Sequence, residues 1–337
     1  MQEDFISAKK DLVSCLETEF SSARSEFSTV SSMVGDSFDR LLSFTSRGKM
    51  MRGSLVVCFA SALGASREDA VRVGAAVELF QSGVLVHDDI MDDDSTRRGE
   101  PAIHAQLAAV GGSRFGLGGG ICLGDVSLFL AFRVLNQVNS PQLVELFSRE
   151  AVSLGFGQMN DVFFGVSSTD PSLDDILSVY RFKTARYTFV LPLLLAACLA
   201  KREELYGSLE SFGEELGVSF QVRDDVLGLF GDSLVTGKPV GADVREDKKT
   251  VVRFELLRLL EGVDREWASL LFGSEVSSAD LARLQSLAVD AGVLSAVELH
   301  ARSAESRAEL VLDDLQVPVA AREVLDWLVG FNRSRVK

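Results

Sequence analysis

The stretch Val84–Gly99, VLVHDDIMDDDSTRRG, joins an apolar run to five aspartates and two arginines. Asp88 and Asp92 are four residues apart, so in a helix their carboxylates lie on one face. Like charges at this spacing destabilise a helix, and a helix C-terminus is an unfavourable place for negative charge. The stretch therefore predicts a long apolar helix whose end binds a cation, with a solvated acidic helix end as the alternative. Oxygen ligands favour Mg²⁺ or Ca²⁺ over zinc.

The rest of the chain predicts an all-α protein. Apolar residues recur at helical spacing almost throughout, and strand alternation bounded by hairpin turns is absent. We expect one all-α domain over residues 1–337, with Ser43–Ser46 and Gly111–Gly120 as loops or helix starts. The predicted helices are Asp4–Phe27, Gly53–Leu63, Arg67–Asp89, Pro101–Ala109, Phe115–Asn136, Pro141–Phe164, Leu173–Leu199, Arg202–Leu229, Lys249–Leu260, Ser278–Asp290, Leu294–Leu315 and Ala320–Val329.

Composition narrows the class of protein. Hydrophobic residues make up 47% and charged residues 25%, which is typical of a soluble globular chain. A net charge of −15 argues against nucleic acid as a partner. The N-terminus has no apolar signal segment, and Asp125 and Pro192 interrupt the two longest apolar runs, so we expect no membrane span and a cytoplasmic protein. The four cysteines are far apart and favour buried thiols, although a disulfide stays possible.

A second acidic pair, Asp224–Asp225, also comes late in a long apolar segment, FQVRDDVLGLFGD. Basic residues accompany both acidic segments. Arginine binds phosphate through two parallel hydrogen bonds, whereas lysine acts as a point charge. Carboxylates that need cations, beside cations that need anions, indicate a metal-bridged phosphate ligand. No Walker A, GxSxG or HExxH pattern is present, and His87 is either a residue that orients the site or a core histidine.

These segments together resemble the trans-isoprenyl diphosphate synthase family. DDIMDDDSTRRG is similar to its first aspartate-rich motif and FQVRDDVLGLFGD to its second; GKMMRG, GQMND, KTARY, TGKPVGAD and DKKT follow the family's order. The resemblance runs from about Gly48 to Thr250. It implies the isoprenoid synthase fold, a single large domain of long, mostly antiparallel helices around a deep central cavity. It also implies head-to-tail condensation of isopentenyl diphosphate with dimethylallyl, geranyl or farnesyl diphosphate, and a homodimer.

The resemblance assigns roles to individual residues. Three Mg²⁺ ions are expected with substrate bound, held by Asp88, Asp92 and Asp224 and bridging the allylic diphosphate. The same diphosphate is expected to contact Arg97, Lys183 and Lys238. The residues expected to bind isopentenyl diphosphate are Lys49, Arg52, Gln81 and Arg98. Thr184 and Gln221 are expected near the developing cation, and Lys248 is expected to close over the site.

The chemistry agrees with these residue types. Diphosphate leaves readily only when its charge is neutralised, which metal ions, arginine and lysine achieve. The allylic cation is then attacked by the isopentenyl double bond, and apolar walls must exclude water. Three positions depart from the family pattern: Gly228 replaces the third aspartate of the second motif, Asp247 precedes the closing lysine, and Arg47 replaces a glycine.

Product length is predicted from the residues before the first motif. Gly83 lies five residues ahead of it, where bulky aromatic residues give short products in the family, so the pocket should extend past a C15 chain. Phe80 lies three residues earlier, about 4.5 Å deeper at ~1.5 Å per residue, and is expected to close the floor. Phe163 and Phe164 either contribute to that floor or belong to the core. We expect the C20 product geranylgeranyl diphosphate, with farnesyl or longer products as the alternative.

Two other functions stay open. A class I terpene cyclase shares the first motif and the helical fold, but Lys49, Arg52 and Asp224–Asp225 argue against it. A non-catalytic subunit of a prenyl synthase is expected to have lost aspartates from the first motif, and all five are present here.

Overall fold

A computed structural model describes residues 1–167, 169–231 and 240–334. Helices dominate these residues, which confirms the all-α prediction. The α-helices are α1 (Gln2–Phe27), α2 (Val34–Ser46), α3 (Met51–Ala62), α4 (Arg67–Met91), α5 (Ile103–Gly111), α6 (Ser113–Asn136), α7 (Pro141–Val166), α8 (Leu173–Val179), α9 (Leu191–Leu199), α10 (Tyr206–Phe230), α11 (Ala242–Arg245), α12 (Val251–Leu259), α13 (Gly262–Leu271), α14 (Ser278–Asp290), α15 (Val293–Asp314) and α16 (Val319–Ser334).

Three of these helices were not predicted, namely α2, α11 and α13. Ser43–Ser46 forms the last turn of α2 rather than a loop or a helix start. Phe38, Leu41 and Phe44 are buried along one face of α2, and this apolar stripe outweighs the weak helix preference of its serines.

A hairpin too short to show strand alternation follows α4. Strand β1 (Thr96–Arg97) pairs antiparallel with β2 (Glu100–Pro101). Arg98 and Gly99 connect the strands, with φ of 57° and 77°. Positive φ at both central residues is the backbone that a two-residue hairpin requires. This turn fixes where Arg97 and Arg98 leave the backbone.

The contacts within the chain group it into two compact units. Unit 1 comprises Met1–Ser148, Leu191–Tyr206 and Val317–Val324, and unit 2 comprises Arg149–Val190, Gly207–Gln316 and Leu325–Lys337. The expectation of one domain over residues 1–337 stays a prediction.

Helix α4 lies at the centre of unit 1. It packs against α1, α3 and α6. Ser66 caps its N-terminus by accepting a hydrogen bond from the Asp69 amide, which satisfies one of the unpaired donors there. Its central residues are buried, so the helix is fixed by packing up to the point where its aspartates begin. The acidic segment therefore starts from a rigid support.

The predicted helix Leu173–Leu199 contains a change of helical type in its middle. Tyr180–Val190 is a π-helix, between α8 and α9. Pro192 lacks an amide donor, and in an α-helix its ring would collide with the carbonyl four residues earlier. The wider turns of a π-helix just before Pro192 relieve both problems, and such segments are frequent at functional sites.

The core of unit 2 combines α10, α12 and α15 with shorter helices. Val222, Leu256 and Val297 are fully buried within this core. Helix α12 begins at a cap in which the Thr250 hydroxyl accepts a hydrogen bond from the Arg253 amide. This cap positions the segment that carries Lys248 and Lys249.

Two helices are long and apolar enough to cross a membrane by length and composition. In Leu173–Leu199, 72% of the apolar window is buried, as in the core helix of a soluble protein. In Ser113–Asn136 the buried share is 39%, because Leu117, Ile121 and Phe129 are exposed. These two helices are weak grounds for a membrane span.

The prediction of buried thiols holds for two of the four cysteines. Cys58 and Cys198 are buried, Cys15 is intermediate and Cys122 is exposed on α6. All four are free thiols. Burial raises the pKa of the Cys58 thiol to about 12, so this thiol is protonated and inert near neutral pH.

Candidate active site

The first acidic segment forms the C-terminus of α4. Asp88 and Asp89 lie in its last turn, and Asp92 is the residue that ends it, its amide donating to the Asp88 carbonyl at 2.9 Å. Asp88 and Asp92 are half-buried, whereas Asp89 is 1% exposed. Asp93 is exposed and has a φ of 54°, which turns the chain away from the helix. The predicted pair Asp88 and Asp92 therefore occupies successive turns at a helix end.

Arg97 balances the charge of this segment. Its guanidinium lies 3.4 Å from Asp88 and 3.3 Å from Asp94, and it donates a short hydrogen bond to Asp89. Burial raises the pKa of Asp89 to about 6, and Arg97 opposes part of that rise. Negative charge is unfavourable at a helix C-terminus. The hairpin after α4 places the Arg97 guanidinium beside these carboxylates and so compensates their charge.

The oxygen atoms of this segment fit a divalent metal that also binds a ligand. Oδ2 of Asp89 is buried and accepts no hydrogen bond from the described part of the chain. Across residues 1–167, 169–231 and 240–334, no three His, Cys, Asp or Glu side chains form a complete metal site. Mg²⁺ in phosphate enzymes takes one or two carboxylates, and phosphate and water oxygens complete its shell. Asp88 and Asp92 match such a partial site.

A basic region lies beside the same segment in unit 1. Arg98 donates to the Phe44 carbonyl at 3.0 Å, and its guanidinium lies 5.7 Å from the centre of the Phe44 ring. A Cβ on Gly48 would come within 3.0 Å of Arg98 Nη1, so the GKMMRG segment runs directly under this arginine. The structure therefore brings together two segments that lie 50 residues apart in the sequence (residues 48 and 98).

Glu78 is a buried partner of this basic region. Its carboxylate accepts a hydrogen bond from the Gly53 amide at 2.7 Å. Burial raises the pKa of Glu78, and the nearby guanidinium groups of Arg52 and Arg98 oppose the rise. Glu78 thus anchors the start of α3, which carries Arg52, close to Arg98.

The other two residues predicted to bind isopentenyl diphosphate differ in exposure. Lys49 is exposed, directly before the left-handed residue Met50, whose φ is 52°. Gln81 is 7% exposed on α4, three residues after Glu78 and on the same face of that helix.

In unit 2, the predicted residues of the KTARY segment lie on the π-helix. Lys183 Nζ donates to Asp161 at 2.5 Å. The Thr184 hydroxyl donates to Gln221 at 2.9 Å, and Gln221 donates to Asp225 at 3.0 Å. The structure therefore joins Thr184 and Gln221 through direct contact, as expected for two groups near one reacting centre.

Asp225 is buried and hydrogen bonded within the same unit. The Tyr180 hydroxyl donates a short bond to Asp225 and accepts one from the Val251 amide at 2.8 Å. Burial raises the pKa of Asp225 to about 8, and the charge of Asp243 adds to that rise. The nearby Lys248 ammonium opposes it. Asp224, one residue earlier, is half-buried.

The π-helix and α10 meet along one stripe. A Cβ on Gly217 would lie 2.3 Å from Cα of Ala185, so a residue larger than glycine at 217 would force the helices apart. On α10 the contact residues Gly217, Gln221 and Asp225 follow one another at four-residue spacing. On the π-helix, the contact residues Tyr180 and Ala185 are five residues apart. The i+5 spacing of a π-helix places these two residues on one face. The π-helix therefore matches Tyr180 to Asp225 and Ala185 to Gly217 on α10.

Two predicted residues complete the set. Lys248 is half-buried, and its charge acts on Asp225. Lys238 lies outside the described residues.

The residues predicted to control product length are buried in unit 1. A Cβ on Gly83 would lie 2.7 Å from the Gly124 carbonyl and 2.8 Å from Leu128, so Gly83 is a contact point between α4 and α6. A Gly83→Phe variant would therefore have to displace α6. The Phe80 ring packs edge-on against Phe147, with ring centres 5.1 Å apart. The role of both positions in product length stays a prediction.

Three residues at these sites were not singled out from the sequence. Asp161 lies in GQMND, but its contact with Lys183 depends on tertiary structure. Glu78 and Tyr180 sit among apolar residues. The sequence offered one signal for them, an ionisable residue among apolar residues of a helix next to a motif. Such a residue is expected to be buried and therefore to need a partner.

Comparisons with known proteins find similar sequences and structures. The family model described as polyprenyl synthetase matches residues 37–285. The geranylgeranyl diphosphate synthase of Mycobacterium tuberculosis is 34% identical over 75% of this chain and 71% of its own length. The geranylfarnesyl diphosphate synthase of Aeropyrum pernix is 30% identical over 86% of this chain and 91% of its own length. A geranylgeranyl pyrophosphate synthase structure from Corynebacterium glutamicum, in complex with isoprenyl diphosphate and magnesium, has a TM-score of 0.91 at 27% identity and covers 97% of this chain and 98% of its own.

Proposed function

The chain belongs to the polyprenyl synthetase family and has its isoprenoid synthase fold, and from this premise we propose that it makes geranylgeranyl diphosphate. As a trans-prenyltransferase it condenses isopentenyl diphosphate with dimethylallyl, geranyl or farnesyl diphosphate in head-to-tail order. The observation that carries the proposal is the end of α4, where Arg97 contacts half-buried Asp88 and half-buried Asp92 follows one turn later. That pairing of carboxylates with a guanidinium suits a diphosphate bound together with a divalent cation.

The first step is the departure of diphosphate from the allylic substrate, which leaves the allylic cation. Each group has a separate role in this step. Asp88, Asp92 and Asp224 would hold Mg²⁺, three ions in all, and these would neutralise the charge of the leaving diphosphate. Arg97 and Lys183 donate hydrogen bonds to the same diphosphate, and Lys238 contributes a further positive charge. Because Arg97 already contacts Asp88 and Asp94, it moves a short distance at most to reach a ligand held by the same carboxylates.

The second step is the attack of isopentenyl diphosphate. Arg52 and Arg98 bind its diphosphate together with Lys49 and Gln81, and Glu78 holds the two arginines close to one another. The hydroxyl of Thr184 and the amide of Gln221 face the developing positive charge with their oxygen atoms. The new C–C bond forms between the isopentenyl double bond and the allylic carbon, and a proton passes to the departing diphosphate. Lys248 closes over the site and excludes water.

The length of the product depends on the floor beneath the first motif. Gly83 is packed against the Gly124 carbonyl of α6, so it adds no side chain to the pocket, and the ring of Phe80, which packs against Phe147, closes the floor. A Phe80→Ala variant should shift the product towards lengths above C20, as measured by chromatography of the dephosphorylated alcohols. An unchanged product distribution would contradict the role of Phe80.

We also propose that the enzyme works as a cytoplasmic homodimer without a membrane span. Helix α6 exposes Leu117, Ile121 and Phe129, the last of these 74% exposed. Phe129 also lines an apolar groove of about 1150 Å³, together with Phe27 and Leu130. Exposed apolar surface of this extent is typical of a protein–protein interface, and a second copy offers the matching surface.

The deciding experiment is an incubation of the purified chain with isopentenyl diphosphate, each allylic primer and Mg²⁺. Consumption of isopentenyl diphosphate and a C20 product are expected, and chelation of the metal should abolish both. Conversion of an allylic diphosphate without isopentenyl diphosphate would indicate a terpene cyclase instead. Consumption of neither substrate would indicate a non-catalytic subunit and overturn the proposal.

A further inference from the structure

Position 228 lies on the same face of α10 as Asp224. The two residues are four apart, one helical turn, so a side chain at 228 would project beside the Asp224 carboxylate. The family pattern places a third aspartate there, and this chain has glycine. Gly228 lies in the last turn of α10, which ends at Phe230. The absence of a side chain at this position has a reason in the packing.

The reason is the carboxylate of Asp243. A Cβ on Gly228 would lie 2.5 Å from Oδ2 of Asp243 and 3.4 Å from its Cγ. The carboxylate therefore occupies the space into which a side chain at 228 would extend. Any residue larger than glycine would have to displace it.

The backbone around Asp243 keeps the carboxylate in this position. The Gly241 amide donates to the Gly228 carbonyl at 3.0 Å, which ties the start of α11 to the end of α10. Gly241 has a φ of 80°, a conformation that favours glycine. On the other side, the Lys248 amide donates to the Asp243 carbonyl at 2.9 Å. Asp243 is thus fixed from both directions.

The surrounding charges also place Asp243 with the second acidic pair. Its charge acts on Asp225, so the two carboxylates lie within electrostatic reach of each other. Its charge acts on Tyr180 as well. Lys248 is the cation that acts on Asp225 from the same side.

We propose that Asp243 supplies, from α11, the carboxylate that Gly228 omits from the second acidic motif. The inference rests on the proposed function, because it assigns Asp243 to the divalent metal that Asp224 would hold. Asp224 offers a direct oxygen ligand, and Asp243 completes the acidic set either as a ligand or through a metal-bound water. The family's three-carboxylate set is therefore preserved in this chain by residues from two helices.

The test is the affinity of the full chain for Mn²⁺ in the presence of inorganic pyrophosphate, measured from the electron paramagnetic resonance signal of free Mn²⁺. Asp243→Asn should weaken this affinity by about 10- to 100-fold, the usual effect of losing an outer partner of a metal ligand. Gly228→Ala removes no charge, yet its Cβ must displace Asp243, so it should weaken the affinity by about 10-fold. Glu275→Gln removes an exposed carboxylate of unit 2 and serves as the matched control, with affinity unchanged.

A variant that exchanges residues 228 and 243 distinguishes a role of the Asp243 carboxylate in metal binding from a general loss of structure. Gly228→Asp combined with Asp243→Gly returns the third carboxylate to α10 and should bind Mn²⁺ more tightly than Asp243→Asn. An Asp243→Asn affinity equal to that of the control overturns the inference, as does an exchange variant no tighter than Asp243→Asn. If the unaltered chain consumes isopentenyl diphosphate and binds Mn²⁺ while Asp243→Asn is unchanged, this inference alone fails. If the unaltered chain does neither, the proposed function fails with it.

Discussion

The two Asp-Asp pairs have the same sequence and opposite surroundings. Asp88–Asp89 ends α4, where Arg97 neutralises it through ion pairs. Asp225 lies within α10, where the neutral donors Tyr180 and Gln221 hydrogen bond it. Burial raises the pKa of Asp89 to about 6 and that of Asp225 to about 8.

The difference lies in the charge of the partner. A guanidinium favours the ionised carboxylate, whereas a phenol or an amide offers hydrogen bonds without full charge. Asp89 is therefore held as an anion near neutral pH more readily than Asp225. A bound cation would add more charge compensation at Asp225 than at Asp89.

Loss of a metal-binding carboxylate from the first pair should have the largest effect, a loss of catalytic activity. Asp88→Ala should lower kcat/KM by on the order of 10³-fold, comparable to the loss of one preorganised group that stabilises the transition state. The matched control is Asp93→Ala, an exposed carboxylate of the same segment, which should stay within about threefold, a change of under 1 kcal/mol. Steady-state kinetics with isopentenyl diphosphate measure both. An Asp88→Ala enzyme as active as the unaltered chain would revive the non-catalytic alternative.

Removal of the Arg97 guanidinium should destabilise unit 1. Arg97→Gln leaves the buried Asp89 without its cation, so the free energy of unfolding should fall by about 3 kcal/mol. Chemical denaturation measures the change. Arg24→Gln breaks an exposed ion pair with Asp39 and should cost under ~1 kcal/mol.

A double variant checks the cause of that loss. Asp89→Asn removes the charge that Arg97 balances, so its combination with Arg97→Gln should recover part of the lost stability. Equal stability of Arg97→Gln alone and the double variant would contradict the account of charge balance.

Removal of the neutral donor from the second pair should have a smaller effect. Tyr180→Phe deletes the hydroxyl that joins Asp225 to the Val251 amide, which leaves buried polar groups without a partner. The free energy of unfolding should fall by about 2 kcal/mol. Ser211→Ala, which removes an exposed hydroxyl that donates to the Gly207 carbonyl at 3.0 Å, is the control and should change little. A loss no greater than that of the control would show that the buried bonds contribute nothing net.

The smallest expected effect is a change in the pH dependence of stability caused by Glu78, which accepts a hydrogen bond from an amide and lies near two arginines. Burial raises the folded-state pKa of Glu78 above its unfolded value of about 4.3. The folded state therefore retains the proton more strongly, and the associated stability is present below that unfolded pKa and is lost as the pH rises through the folded pKa. Glu78→Gln keeps an acceptor for Gly53 without the charge.

Unfolding measured at pH 5 and pH 8 tests this sign. The stability of Glu78→Gln relative to the unaltered chain should be greater at pH 8 than at pH 5. A difference that is the same at both pH values would contradict a raised pKa for Glu78.

Much of the fold was predictable because long apolar stripes repeat at helical spacing. The bounds of α4, α6 and α14 differ from prediction by two residues or fewer at each end. Helix α2 was missed because its serines mask a short apolar face, and the π-helix was missed because periodicity cannot distinguish one wide turn from α-helix. The hairpin at Arg98 was too short for a strand pattern.

The candidate site was predictable in its residue types and less so in its contacts. The motifs named Thr184 and Gln221, and the structure joins them directly. The motifs did not reveal that Asp161 pairs with Lys183, because ion pairs between helices depend on where each helix packs. Gly83 was interpreted as open space, yet it is a close contact with α6.

The sequence by itself determined that this protein is helical and which family it resembles, and it predicted that two acidic segments and a set of basic residues serve one chemistry. These follow from spacing and order along the chain, which are local properties. The tertiary structure decided which carboxylate meets which cation, because burial and charge balance arise where distant segments pack. Asp243 illustrates the division: the sequence showed an aspartate missing at 228, and only the fold returned a carboxylate to that place.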